Sequence, residues 1–187
     1  SLATHLKENG PLTLAATLEI LGAVSAGLKA AHRANVVHRD LKPENIFLSR
    51  DDDGTVVVKL LDFGLARSVL DTDGVRITST GAVLGTPTYM APEQVYGEKE
   101  ISFAVDVWAL GAIFFECVTG RVLFAAQNAG QAFKKISVEP LPSFDDVGLP
   151  AELVTVLRRM LSRPVADRPT DDEVLEVFQK CASRIAA

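Results

Sequence analysis

The sequence predicts a mainly α-helical domain with one small β-hairpin near its middle. Three observations carry this reading. Apolar residues recur every three or four positions through 13–34, and the pattern turns helical again from about Ser102 to Gly120, as expected for helices that bury one face. Two short β-rich runs, 46–48 and 56–61, flank a turn signal that ends in Asp53-Gly54. Two further helical stretches, 151–162 and 171–184, close the chain.

Taken in order, residues 2–8 read as a short helix stopped by Asn9-Gly10-Pro11. Thr13 is placed to cap the long helix, whose apolar face is Leu14, Leu18, Leu21, Val24, Leu28 and Ala31. Gly22 and Gly27 lie inside this helix with no strand before them, so they read as packing contacts and not as a phosphate-cradling loop. A polar loop, Val37 to Asn45, leads into the hairpin. Its acidic tip, Asp51-Asp52-Asp53, lacks EF-hand spacing and reads as a solvated turn. The stretch from Gly64 to Gly97, rich in Thr, Ser, Gly and Pro, reads as a long irregular segment of the kind that is usually functional or disordered. Ile113, Phe114 and Val118 mark a strongly apolar helix ended by Gly120, and 128–137 fits a shorter one. Pro140, Pro142 and Pro150 punctuate the loop that follows, and Thr170 with Glu173 forms the capping box of the last helix.

At 187 residues and 48% apolar content the chain is long enough for one domain with its own core. Its net charge of −5, with acids and bases interspersed and no basic stripe, argues against a nucleic-acid partner. No unbroken apolar run reaches the length of about 18 residues expected of a membrane span, so no membrane segment is expected in this chain. The first residues also lack the apolar run of a signal peptide. Cys117 and Cys181 sit in apolar helical contexts without metal-ligand spacing, and read as buried, reduced thiols of a cytoplasmic protein.

The chemistry gathers at the open end of the hairpin. Asn45 ends the loop entering the first strand and Asp62 follows the second. Facing residues of an antiparallel pair lie about 5 Å apart, so the two can share a ligand. An amide oxygen and a carboxylate suit Mg²⁺, which completes its shell with phosphate and water. Asp40 and Lys42 lie just upstream on the same loop. A carboxylate that accepts a hydroxyl proton, and an ammonium that neutralises a phosphoryl group, complete the set needed for in-line phosphoryl transfer.

His38-Arg39-Asp40-Leu41-Lys42-Pro43-Glu44-Asn45 resembles the catalytic loop of eukaryotic-type protein kinases. Asp62-Phe63-Gly64 resembles their metal-binding motif, and Ala91-Pro92-Glu93 the motif that closes their activation segment. Asp106-Val107-Trp108-Ala109-Leu110-Gly111 is similar to the start of the family's central buried helix, and Asp167-Arg168-Pro169-Thr170 to the segment before its last helix. Across residues 1–187 the resemblance implies the C-terminal lobe of a kinase domain, a helical bundle with the small hairpin at the catalytic cleft.

Residue by residue, the resemblance implies Asp40 as catalytic base, Lys42 as the phosphate-contacting lysine, and Asn45 and Asp62 as Mg²⁺ ligands. It places Phe47 beneath the adenine of ATP; on periodicity alone Phe47 serves equally as hairpin core. His38 and Phe63 match members of a hydrophobic stack, with Asp106 anchoring the His38 backbone, and Arg168 is expected to form a buried ion pair with Glu93. Lys42, together with Thr86 in Gly85-Thr86-Pro87-Thr88-Tyr89-Met90, implies Ser/Thr rather than Tyr substrates, with Thr86 bridging Asp40 and Lys42. Arg39 and Arg67 match residues that receive a phosphate on the activation segment, and Thr78 and Thr80 are the candidate acceptors. Gln94 and the Thr-rich segment are most similar to bacterial members. Aminoglycoside-type kinases share an Asp and an Asn at similar spacing but lack the Ala91-Pro92-Glu93 segment. The implied partners are ATP, Mg²⁺, Ser/Thr-bearing proteins and the family's nucleotide-clamping N-terminal lobe, which is expected ahead of Ser1. Residues 1–187 alone are therefore expected to be inactive, and a regulatory pseudokinase or scaffold is the alternative function.

Overall fold

A computed structural model describes residues 1–53, 56–62 and 87–186. Helices α1 (Leu2–Asn9) and α2 (Leu14–Arg33) precede strands β1 (Ile46–Arg50) and β2 (Val56–Leu60). Then come α3 (Pro92–Val95), α4 (Ala104–Thr119), α5 (Ala129–Val138), α6 (Ala151–Met160) and α7 (Asp171–Ala186). The strands form one antiparallel pair in which Ile46 faces Leu60 and Arg50 faces Val56.

Local chemistry sets the helix ends. The Thr13 hydroxyl accepts the Ala16 amide at 3.2 Å and starts α2. Gly120, left-handed at φ 68°, stops α4, a conformation glycine adopts without a Cβ clash. At α7 the Thr170 amide donates to Glu173 at 2.7 Å and the Glu173 amide to the Thr170 hydroxyl at 3.3 Å, a reciprocal capping box. The Arg159 guanidinium beside Glu173, and then the Thr170 amide, hold that carboxyl down at about 2.

In helix α4 every residue from Val105 to Phe115 is buried, and Asp106 is the one charged side chain among them. Such a helix has to be central. It packs on α2 and α6, and α2 packs along α7 and against β2. Gly111 allows the approach of α6: a Cβ there would meet the Met160 Cβ at 3.1 Å. Rings complete the core, with Trp108 stacked on Phe124 at 5.6 Å and Phe114 against Phe178 at 5.4 Å.

Four details differ from the sequence expectations. Residues 92–95 are helical within the stretch read as irregular; Pro92 occupies the first turn, and the Gln94 side chain accepts the Ala91 amide at 2.9 Å. The first strand continues to Arg50, since its ladder to β2 extends past the apolar residues. Gly27 is a packing contact, with Leu60 Cδ1 3.3 Å from where its Cβ would stand, whereas Gly22 has nothing within 4 Å. Finally, α2 is long and apolar enough, by length and composition, to cross a membrane, although no unbroken apolar run signals it. In this fold its apolar face is covered: Leu18, Leu21, Val24 and Leu28 are buried in the core. Cys117 and Cys181 are buried free thiols, and burial pushes both upward in pKa.

Candidate active site

The loop between α2 and β1 is held through its backbone. The Asp106 carboxylate, in the first turn of α4, accepts the His38 amide at 2.8 Å and the Arg39 amide at 2.9 Å. A negative charge is well placed at a helix N-terminus. Arg39 is left-handed at φ 66°, a conformation unfavourable for a residue with a side chain. Its carbonyl accepts the Gln94 side-chain amide at 2.8 Å. His38 is fully buried, and its Nε2 donates to the Leu61 carbonyl at 2.9 Å, tying the loop to the residue before Asp62.

Three of the candidate residues meet on this loop. The Lys42 ammonium lies 2.7 Å from Asp40 Oδ2. The Asn45 amide donates to the Asp40 carbonyl at 2.8 Å and reaches Asp40 Oδ2 at 3.3 Å. Oδ2 is thus engaged by both neighbours, while Oδ1 has no such bond among the described residues. Asn45 directs its nitrogen to Asp40, so its amide oxygen is the atom it can offer a cation.

The hairpin brings Asp62 near, one position out of register. The Leu61 amide donates to the Asn45 carbonyl at 3.0 Å, extending the ladder one step beyond Ile46 and Leu60. Asp62 follows at φ 63° with an exposed side chain. Asn45 and Asp62 supply two hard oxygen donors, a set that fits Mg²⁺ bound mainly through phosphate. Among the described residues no cluster of three His, Cys, Asp or Glu side chains forms a metal cage. Phe47 is 43% exposed while Ile46 beside it is fully buried, so the hairpin-core reading of Phe47 fails and its ring lies on the open face.

A cleft of about 670 Å³ opens beside Asp40 and Lys42, lined also by Glu44, Pro87, Tyr89 and Gln94. Asn45 and Phe47 are not among its walls, so Asp40 and Lys42 border this cleft while the hairpin residues stand outside it. Along one wall the Tyr89 hydroxyl donates to Glu116 at 2.6 Å. Burial, more than the nearby Glu44 charge, pushes the Glu116 carboxyl up, and the Tyr89 bond opposes that rise. Burial and the same bond push the Tyr89 hydroxyl up as well.

In the core, Arg168 grips Glu93 with two bonds, at 2.6 and 2.7 Å, between side chains 0% and 4% exposed. Arg39 lines the cleft. Phe63, Arg67, Thr78, Thr80 and Thr86 lie outside the described residues. Sequence reading missed three partners of this site: Gln94 as the ligand of the Arg39 carbonyl, the Tyr89–Glu116 bond, and His32, which binds Asp106 at 2.8 Å. The spacing of Gln94 three residues after Ala91 signals the capping bond, but nothing local signals the other contacts.

The protein kinase domain family matches residues 1–178. Serine/threonine-protein kinase PknL of Mycobacterium tuberculosis is 39% identical over 173 residues, which cover 91% of this chain and 41% of that protein. Serine/threonine-protein kinase pkn3 of Myxococcus xanthus is 36% identical over 176 residues, covering 91% of this chain and 32% of the relative. Serine/threonine-protein kinase PknH of M. tuberculosis is 34% identical over 169 residues, covering 89% and 26%. The chain therefore spans less than half the length of these relatives. With the motifs in order and the family match running almost end to end, the chain belongs to the protein kinase domain family.

Proposed function

We propose that this chain is the C-terminal lobe of a protein serine/threonine kinase that transfers the γ-phosphoryl group of ATP to Ser or Thr hydroxyls of proteins. The observation that carries the reading is the Asp40 carboxylate, fixed by Lys42 at 2.7 Å and by Asn45, at the edge of a cleft large enough for a peptide side chain. In the proposed step a substrate hydroxyl gives its proton to Asp40 as its oxygen forms the new bond to the γ-phosphorus. The bond from that phosphorus to the bridging oxygen breaks, and ADP leaves with the electron pair. Lys42 neutralises charge on the transferring group. Asn45 and Asp62 would hold Mg²⁺, which when bound would supply charge stabilisation to the phosphates. Phe47 offers an apolar surface to the adenine.

Positioning and electrostatic clamping supply most of such a rate enhancement. Residues 1–187 contain no Gly-rich phosphate loop following a strand. We therefore assign nucleotide clamping to an N-terminal lobe of the parent protein, and expect no turnover from 1–187 alone. The names of the relatives, all serine/threonine-protein kinases, support the substrate class. The buried free thiols of Cys117 and Cys181 support a reducing, cytoplasmic setting for the domain.

The test is phosphate transfer from labelled ATP to a Ser/Thr protein substrate by the full-length protein and its Asp40→Asn variant. Loss of the general base should lower turnover by about 10²–10⁴-fold. Equal activity of the two forms would overturn the role of Asp40. Tight ATP binding without transfer in the unaltered protein would favour the regulatory pseudokinase.

A further inference from the structure

His32 lies near the end of α2, outside every motif that marks the site. It is 5% exposed, and both of its ring nitrogens face carboxylates. Nε2 is 2.8 Å from Asp106 Oδ2 and Nδ1 is 2.7 Å from Asp171 Oδ2, at the start of α7. A carboxylate only accepts hydrogen bonds, so satisfying both contacts requires a proton on each nitrogen and therefore an imidazolium. The Phe103 ring stacks on one face of the imidazole at 4.7 Å. The same Asp106 oxygen that meets His32 also accepts the His38 amide, and the other accepts the Arg39 amide.

We infer that His32 is a positioning residue for the loop that carries Asp40: clamped as a cation between Asp106 and Asp171, it fixes the carboxylate that receives the loop amides and thereby couples the last helix to the site. The catalytic meaning of this coupling rests on the proposed role of Asp40, but the coupling itself does not. The charged groups around the clamp come from α2, α4 and α7. Lys29 and Arg33 share α2 with His32, Asp106 stands on α4, and Asp171 and Asp172 stand on α7. Lys29 is paired with Asp172, and Arg33 also acts on it. The loop contributes the amides of His38 and Arg39.

Burial alone would lower the pKa of His32. The hydrogen bonds to Asp106 and then Asp171, with their charges, outweigh it and raise the value from 6.5 to about 9. Because the folded value lies above the unfolded one, the stabilising charge is fully present below about 6.5 and is lost as pH rises through about 9. Once neutral, one ring nitrogen becomes an acceptor facing a carboxylate, and one side of the clamp opens.

The experiment uses intact protein with ¹⁵N-histidine. It follows the His32 ring by NMR across pH, and the exchange of the His38 and Arg39 amides, corrected for the intrinsic pH dependence of exchange. The expected result is a His32 midpoint near 9, with amide protection falling through the same pH range. Asp171 is 20% exposed, so Asp171→Asn keeps the shape while removing one charge. It should lower the His32 midpoint by about one unit, a tenfold loss of proton affinity. Loss of protection at His38 and Arg39 should move to lower pH with it, while amides in α6 keep their rates. A His32 midpoint near 6.5 in the unaltered protein, or protection that ignores the midpoint, would overturn the inference. Should Asp171→Asn fail to fold, the unaltered protein's two curves decide alone. Neither readout involves phosphate transfer, so this inference and the proposed kinase activity fail independently.

Discussion

Removing either partner of the Arg168–Glu93 pair strands a charge inside the core. Each of the five N–H groups of Arg168 is used: Nε on the Ser162 carbonyl, Nη1 on Glu93 and Ala104, and Nη2 on Glu93 and Arg163. The guanidinium also lies 5.1 Å over the Trp108 ring. Glu93→Ala leaves this cation buried without its counter-charge, which costs about 3–5 kcal/mol. At about 2–4 °C per kcal/mol for a chain of this size, Tm should fall by about 6–20 °C. Arg168→Lys keeps the charge but offers fewer donors and no planar fork. It abandons at least two of the bonds above, at about 1–3 kcal/mol for each buried acceptor left unmade. Urea and thermal denaturation measure these losses, together with those of Glu93→Leu, Arg168→Met and the double variant that combines those two. The double variant should lose less than the two single losses combined, because removing both charges leaves neither one stranded. Single losses below about 1 kcal/mol, or strict additivity, would refute the reasoning.

Two further substitutions probe the scaffold. Gly111→Ala would put a methyl group 3.1 Å from Met160 Cβ and 3.3 Å from Leu161 Cγ. The α4–α6 contact should loosen by about 1–3 kcal/mol, seen as a lower urea midpoint with an unchanged m-value. Thr170→Ala removes the hydroxyl that caps the Glu173 amide and should cost about 1 kcal/mol by the same measurement. Glu173→Gln in the Thr170→Ala background should then add little, because their bonds form one box.

Much of the scaffold was legible because it is periodic and locally capped. The one-sided apolar spacing of α2, the Gly120 stop and the Thr170–Glu173 box are all readable within a few residues. The open end of the hairpin was legible for a related reason, since strand pairing is set by the turn. Of the contacts between residues far apart in sequence, Arg168–Glu93 and Asp106–His38 were expected from the resemblance alone, and those outside its motifs escaped. His32 reads as one more position on a helix, and its partners lie 74 and 139 residues away. Gln94 bonds a carbonyl 55 residues back. The backbone of Arg39 and Asp62 escaped as well. Both are left-handed, at φ 66° and 63°, with no glycine to signal it.

That strained backbone explains why so much of the scaffold converges on one loop. A left-handed residue with a Cβ costs about 1–2 kcal/mol. A hydrogen bond to a charged group contributes about 1.5–3 kcal/mol, and Asp106 makes two such bonds to the loop amides. The carboxylate that accepts them is 1% exposed, a burial offset by those two amides and by His32 Nε2 at 2.8 Å. Arg39 is fixed at its amide by α4 and at its carbonyl by Gln94 of α3, and the next residue is Asp40. Gln94 also spans back to the Ala91 amide, so both ends of its side chain are committed. Displacing α3 would therefore move Gln94 in the cleft wall, pull on the Arg39 carbonyl and, through that peptide, shift Asp40.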